Sequence, residues 1–199
     1  SIGEGTFGHS SLKNIIIPDS VTTIGDYAFN YSSLESIIIP ESVTTIGDFA
    51  FSYCRNLTNI VVDENNQYYS NDEYGVLFNK DKTTLIQYPI GNRRTSYIVP
   101  DSVNSIGCYA FRDNDNFSFV IVGSNIETIE AGAFDDCDYL WHIYYKGSEE
   151  QWNNIVFNGY HSDIYKIARH YNCIGNEFEE TIIKDPICYE NGENEIYCT

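Results

Sequence analysis

Apolar residues recur along this chain as a phrase, L-x-x-I-x-I-P, that begins at Leu12 and returns at Leu34. Within it, Ile15 and Ile17 keep the period of 2 that marks a strand with one buried face. Pro18 has no amide for a ladder and ends that strand. Val21 and Ile24 make a second short apolar pair, and Gly25 allows a sharp turn. Asp26 is then placed to cap one short helical turn that carries Ala28 and Phe29 inward. The whole string IIIPDSVTTIGDYAF, Ile15 to Phe29, reappears as IIIPESVTTIGDFAF at Ile37 to Phe51, every position displaced by 22.

The same register extends in both directions. Backwards by 22, Ile24 falls on Ile2 and Phe29 on Phe7. Forwards by 60, IVPDSVNSIGCYAF (Ile98 to Phe111) repeats the second copy, and 23 residues later Phe111 maps onto Phe134. A last half-copy, LWHIYYKG, spans Leu140 to Gly147. A unit this short cannot bury its own apolar side, so it must stack on its neighbours. The fold expected is a repeat solenoid of leucine-rich-repeat type, mainly β with short helical turns. A parallel sheet should cover one face, with strands about 4.7–4.9 Å apart.

Two segments depart from the repeat. The 60-residue step holds one unit plus an insertion at about 63–95, in which Val76 to Phe78 and Leu85 to Tyr88 flank a turn at Asn79 to Lys82. This reads as a β-hairpin, either a binding insertion on one face or an edge pair that patches the core. Near the end, Ser148 with Gln151 fits a capping box, and Trp152 and Ile155 give an apolar helix face. That helix and a closing strand in IARHYNC (Ile167 to Cys173) cap the solenoid at about 146–172. The domain expected is therefore 1–172. The stretch 173–199, acidic and without clear periodicity, reads as a linker.

If Ile15 and Ile17 face inward, Ile16 faces out. Register then gives an outward column of Ile16, Ile38, Val61, Ile98, Ile121 and Tyr144. Beside it runs a second column that ends in Phe119 and His142. A stacked aliphatic strip on an open sheet is a candidate binding face, because contiguous apolar patches commonly mark contacts. Strand propensity alone is the competing explanation for those residues.

Charge narrows the partners. The 199 residues carry 29 Asp and Glu against 11 Lys and Arg, a net charge of −18. Nucleic acid and anionic membranes are poor partners for such a surface, since both need basic residues facing phosphates. No apolar run approaches the roughly 18–20 residues that span a bilayer, so membrane insertion is not expected. Methionine is absent, which suggests a processed product or a fragment.

Together these motifs resemble the BspA-like leucine-rich-repeat family, whose units read L-x-x-I-x-I-P-x-S-V-T-x-I-G-x-x-A-F-x-x-C. The resemblance covers about residues 1–172. It implies a non-catalytic interaction or adhesion module of a larger extracellular or cell-surface protein, binding a protein or glycan on a host or neighbouring cell. The alternative is an accessory binding domain attached to a secreted enzyme such as a glycoside hydrolase or peptidase. No catalytic residue and no cofactor are implied. The final stretch, DPICYENGENEIYCT, resembles the start of a small module found in secreted proteins, and a Cys188–Cys198 disulfide is the expectation if the chain is secreted.

The remaining motifs point to no chemistry. IGEGTFG (Ile2 to Gly8) fits G-x-G-x-x-G, but a phosphate loop needs a strand before it and a helix or paired lysine after it. Repeat register accounts for Ile2, Gly3 and Phe7 without nucleotide. Cys54 and Cys137 share one repeat slot, three residues after the Phe, where a small buried group suits the core. There is no C-x-x-C, and His9, His142, His161 and His170 form no metal or catalytic pattern. The three N-x-S/T sequons, at Asn30, Asn56 and Asn116, are no more than chance supplies.

Overall fold

The computed structural model describes residues 1–173. In chain order its strands are β1 (Thr23–Ile24), β2 (Ser36–Ile39), β3 (Thr45–Ile46), β4 (Asn59–Val62), β5 (Tyr69–Asn71), β6 (Leu77–Asn79) and β7 (Thr84–Gln87). Then come β8 (Ser96–Ile98), β9 (Ser105–Ile106), β10 (Phe119–Val122), β11 (Thr128–Ile129) and β12 (His142–Tyr145), followed by helix α1 (Glu149–Asn153), β13 (Val156–Phe157) and β14 (Ala168–His170). The acidic segment and the Cys188–Cys198 pair lie outside the described residues.

The I-x-I-P phrases form a parallel series on one side of the solenoid, β2 with β4 and then β8, β10, β12 and β14 in order. Register is the one the repeat demands: Ile38 pairs with Val61, and Ile121 lies between Ile98 and Tyr144. Ile37, Ile39, Ile60, Val120, Val122 and Ile143 are buried, as alternation requires. In the first copy residues 14–17 keep this alternation but belong to no strand. The short T-I pairs form a second series, β1 with β3 and then β7, β9, β11 and β13. At the C-terminal end the capping box is closed from both sides, with Gln151 N donating to Ser148 Oγ at 3.2 Å and Ser148 N to Gln151 Oε1 at 2.8 Å.

The turn after Gly25 is not helical. It is a run of tight turns, with Ala28 N donating to Gly25 O, Asn30 N to Tyr27 O and Ser32 N to Phe29 O. Tyr27 and Tyr31 sit in the left-handed region at φ 54° and 56°, and Phe49, Tyr53 and Tyr109 repeat that conformation. Asp26 therefore caps no helix. Its Oδ1 accepts from Asp48 N of the next coil at 3.0 Å, so the carboxylate links coils instead. Left-handed backbone costs a residue with a Cβ about 1–2 kcal/mol. Stacking offsets that cost, since His9, Tyr31 and Tyr53 lie face to face at 5.0 and 4.2 Å.

Inside, the Phe slot builds a second stack. Phe7, Phe29 and Phe51 follow one another at 5.4 and 5.7 Å with nearly parallel ring planes, and Phe111 and Phe134 continue at 5.0 Å. The cysteine slot adds a weak donor as well as volume: Cys54 Sγ reaches Phe29 O at 3.0 Å and Cys137 Sγ reaches Phe111 O at 3.1 Å. Cys54, Cys108 and Cys137 are free thiols. Burial pushes the Cys137 thiol up to about 12, which leaves it protonated and unreactive. The glycine-rich string at the start is an ordinary coil, with Ile2 bridged to Ile24 and Phe7 stacked on Phe29.

The insertion patches the core, and it has three strands where the sequence shows two. β5, β6 and β7 form an antiparallel meander, and β7 then pairs in parallel with β9. β7 thus stands in for the third coil's T-I pair, while Tyr88 takes the Phe slot and stacks on Phe111 at 5.7 Å. The meander separates two cores: Leu77 packs with the N-terminal cluster and Phe78 with the C-terminal one. It also satisfies the edge of β4, where Ile60 N donates to Gly75 O and Val62 N to Asn71 Oδ1.

Two substitutions test this packing. Phe51→Ala removes a ring that is 2% exposed and should cost about 3–5 kcal/mol in urea unfolding. Gly75 has φ +74°, and a Cβ there would lie 2.0 Å from Asn59 Oδ1. Gly75→Ala should therefore destabilise by about 1–3 kcal/mol, the range for a strained backbone position.

Candidate interaction face

The outward columns divide where the insertion interrupts the strand series. In the N-terminal half, Ile16 is 92% exposed, Ile38 62% and Val61 37%. Polar neighbours flank them: Asn14 and Asn59 are exposed and Ser36 is half-buried. These three aliphatic side chains occupy equivalent repeat positions and are exposed, and β-branching keeps them rigid.

The C-terminal half is closed. Ile121 and Tyr144 are buried to 0% and 1% exposure, Phe119 to 6%, and Ile98 packs against them. One open strip from Ile16 to Tyr144, with Phe119 and Tyr144 as its anchors, is therefore not what the structure has. The reason is a small second core on the outer side of β10, β12 and β14. Phe119 meets Tyr144 edge-on at 5.7 Å, Tyr144 stacks on His170 at 4.4 Å, and Cys173 completes the cluster. The sequence signal was the change from aliphatic to aromatic residues at these outward positions, which marks large area to be buried.

His142, also in the outward column, is half-buried and its Nδ1 lies 2.9 Å from Nε2 of His170, so one ring donates and the other accepts. Nδ1 of His170 is buried without a hydrogen-bond partner among the described residues. Burial, reinforced by the neighbouring His142, lowers His170 from 6.5 to about 4, and burial lowers His142 as well. Both rings are therefore neutral near pH 7. Among the described residues no three His, Cys, Asp or Glu side chains gather as a metal would need, and no helix is long and apolar enough to cross a membrane.

Aromatic residues at the left-handed turns form a second exposed feature that repeat counting did not single out. Tyr27, Phe49 and Tyr109 stack at 4.9 and 4.8 Å across the same surface as the Tyr31–Tyr53 column. Arg112 lies between the two columns, 5.0 Å from the Tyr53 ring and 4.3 Å from that of Tyr109, and pairs with Asp136 at 2.7 Å.

Six copies of the BspA type leucine rich repeat region match residues 1–89 and 91–192. The chain belongs to this family. A leucine-rich repeat protein from Eubacterium ventriosum is 30% identical over 85% of the chain, with a TM-score of 0.73. The pneumococcal vaccine antigen PcpA is 19% identical over 88% of the chain, with a TM-score of 0.53, and shares the fold. The chain spans 44% of the Eubacterium protein's length and 66% of that of PcpA. Comparison with characterised protein sequences gives no significant match. This BspA-type chain thus combines the family's repeats with an aliphatic row, Ile16, Ile38 and Val61, that is exposed in its N-terminal half.

The histidine pair makes a pH prediction. A folded-state value below the ordinary 6.5 means that the unfolded chain binds protons first. The stability these rings contribute is complete above about 6.5 and is lost as pH falls toward about 4. Urea midpoints should fall between pH 6.5 and 5, and His170→Gln should flatten that slope. Equal slopes for the two proteins would show that the pair does not govern acid stability.

Proposed function

We propose that this chain is a non-catalytic interaction module, at the cell surface or outside the cell, that binds a protein partner through Ile16, Ile38 and Val61. The observation that carries this reading is the exposure of the three side chains, Ile16 at 92%, while the outward Phe119, Ile121 and Tyr144 are buried. An apolar centre with a polar rim has the anatomy of a recognition surface. The acidic balance, −18 over the chain, directs the partner away from anionic polymers. Stacked repeats present their outward residues as one extended surface, which suits adhesion to a protein on a host or neighbouring cell.

The test is the double variant Ile16→Lys with Ile38→Lys. Both positions are outward, so stability should shift by no more than about 0.5 kcal/mol per site. Beads coated with the chain should be retained on cultured epithelial cells, and the double variant should reduce retention at least about tenfold. Ile121→Lys serves as contrast and should unfold the C-terminal half, visible as a lost thermal transition. Retention of the folded double variant equal to that of the parent would remove the face from consideration.

A further inference from the structure

The third coil is short by two residues at one place. From Ile24 to Phe29 and from Ile106 to Phe111 the chain advances five positions, but from Leu85 to Tyr88 it advances three. Both ends of that stretch are nevertheless in register, Leu85 with Ile106 in the sheet and Tyr88 N with Ala110 O at 2.8 Å. What is missing is the projecting turn, the G-x-x-A of the other coils, for which the third coil has only Ile86 and Gln87.

The loss leaves a cleft of about 370 Å3 between the second and fourth coils, lined by Asp48, Phe49, Phe51, Ile86, Cys108 and Glu130 among others. In complete coils main-chain hydrogen bonds run across this level. Tyr27 N and Phe29 N donate to Asp48 O and Ala50 O at 2.9 and 2.8 Å, and Tyr109 N and Phe111 N to Ala131 O and Ala133 O at 3.1 and 2.9 Å. At the cleft the equivalent groups are unpaired: the Phe49 and Phe51 amides, and the Cys108 carbonyl opposite, have no main-chain partner among the described residues. Ile46 N, next along the same edge, is taken by the Tyr69 hydroxyl at 2.8 Å. One wall therefore offers donors and the other an acceptor, with Asp48 and Glu130 contributing negative charge.

We propose that this cleft binds an extended peptide segment of a partner, whose main chain supplies the missing rung and whose Lys or Arg side chain meets Asp48 and Glu130. Unpaired strand-like edges take peptide main chain by adding a strand, with side-chain pockets setting preference. Donor and acceptor walls facing each other match the alternating N–H and C=O of a peptide, whereas a sugar offers hydroxyls without that order. The cleft shares no residue with Ile16, Ile38 and Val61, so it stands or falls independently of the strand face.

The probe is a capped Val-Lys-Val-Lys-Val peptide, with hydrogen exchange of the Phe49 and Phe51 amides as readout. Bound peptide should slow both amides at least about tenfold, as new main-chain hydrogen bonds do. The same peptide N-methylated at its central residue should give no protection. Asp48→Asn with Glu130→Gln, which leaves the coil intact, should weaken binding about tenfold at low salt. Inserting Gly-Asp between Ile86 and Gln87 should restore the turn, protect the amides without peptide and abolish binding. Unchanged exchange with saturating peptide overturns the proposal. So does equal protection by the N-methylated peptide or by maltohexaose.

Discussion

Everything in this molecule depends on one coil hydrogen-bonding and stacking onto the next. A unit of about 22 residues cannot form a core alone, so each coil is held by the coils stacked beside it. The stack is coherent at three depths: main-chain ladders at the surface, the Phe rings inside, and the tyrosine and histidine rings outside. The outer rings matter because the turns that carry them are left-handed, a conformation that disfavours any side chain with a Cβ. Tyr31 tolerates φ 56° with Tyr53 stacked 4.2 Å away in the same conformation. Strain and stacking thus occur at the same positions, and each ring supports its neighbour's backbone.

The insertion has to preserve that continuity while breaking the repeat, and it does so by substitution of parts. β7 replaces a T-I strand, Tyr88 replaces a Phe, and Gly75 O with Asn71 Oδ1 replaces the next strand at the edge of β4. The substitution is incomplete at the outer turn, where two residues are lacking. That incompleteness is why the outer surface has a cleft with unpaired main chain.

Much of this was legible from residues alone. The spacing of Phe7, Phe29, Phe51, Phe111 and Phe134 placed the inner stack, and Ile15 to Ile17 set an in–out register that the strand pairing obeys. Ser148 and Gln151 announced the cap. The turns were misread because Asp26 and Gly25 carry the usual signature of a helix start, while the left-handed state of Tyr27 is stabilised by a residue 22 positions away. Local chemistry cannot show that. The outer strip was legible in direction but not in exposure: Ile121 points outward as register requires, yet Phe119, Tyr144, His170 and Cys173 bury it.

The two halves of the strand sheet therefore use one register for opposite ends. Where outward residues are Ile16, Ile38 and Val61, the aliphatic row is open and available to a partner. Where they are Phe119, Ile121 and Tyr144, the rings meet one another and His170 and the row is buried. Ring size decides between these outcomes, since a buried aromatic removes far more apolar area from water than Val or Ile and repays the ordering of the segment that covers it. A repeat protein of this kind can move its contact surface along the solenoid by exchanging aliphatic for aromatic residues at outward positions, with the inward core untouched. The boundary falls at Ile98, half-buried between the two regimes, directly after the insertion that separates the cores.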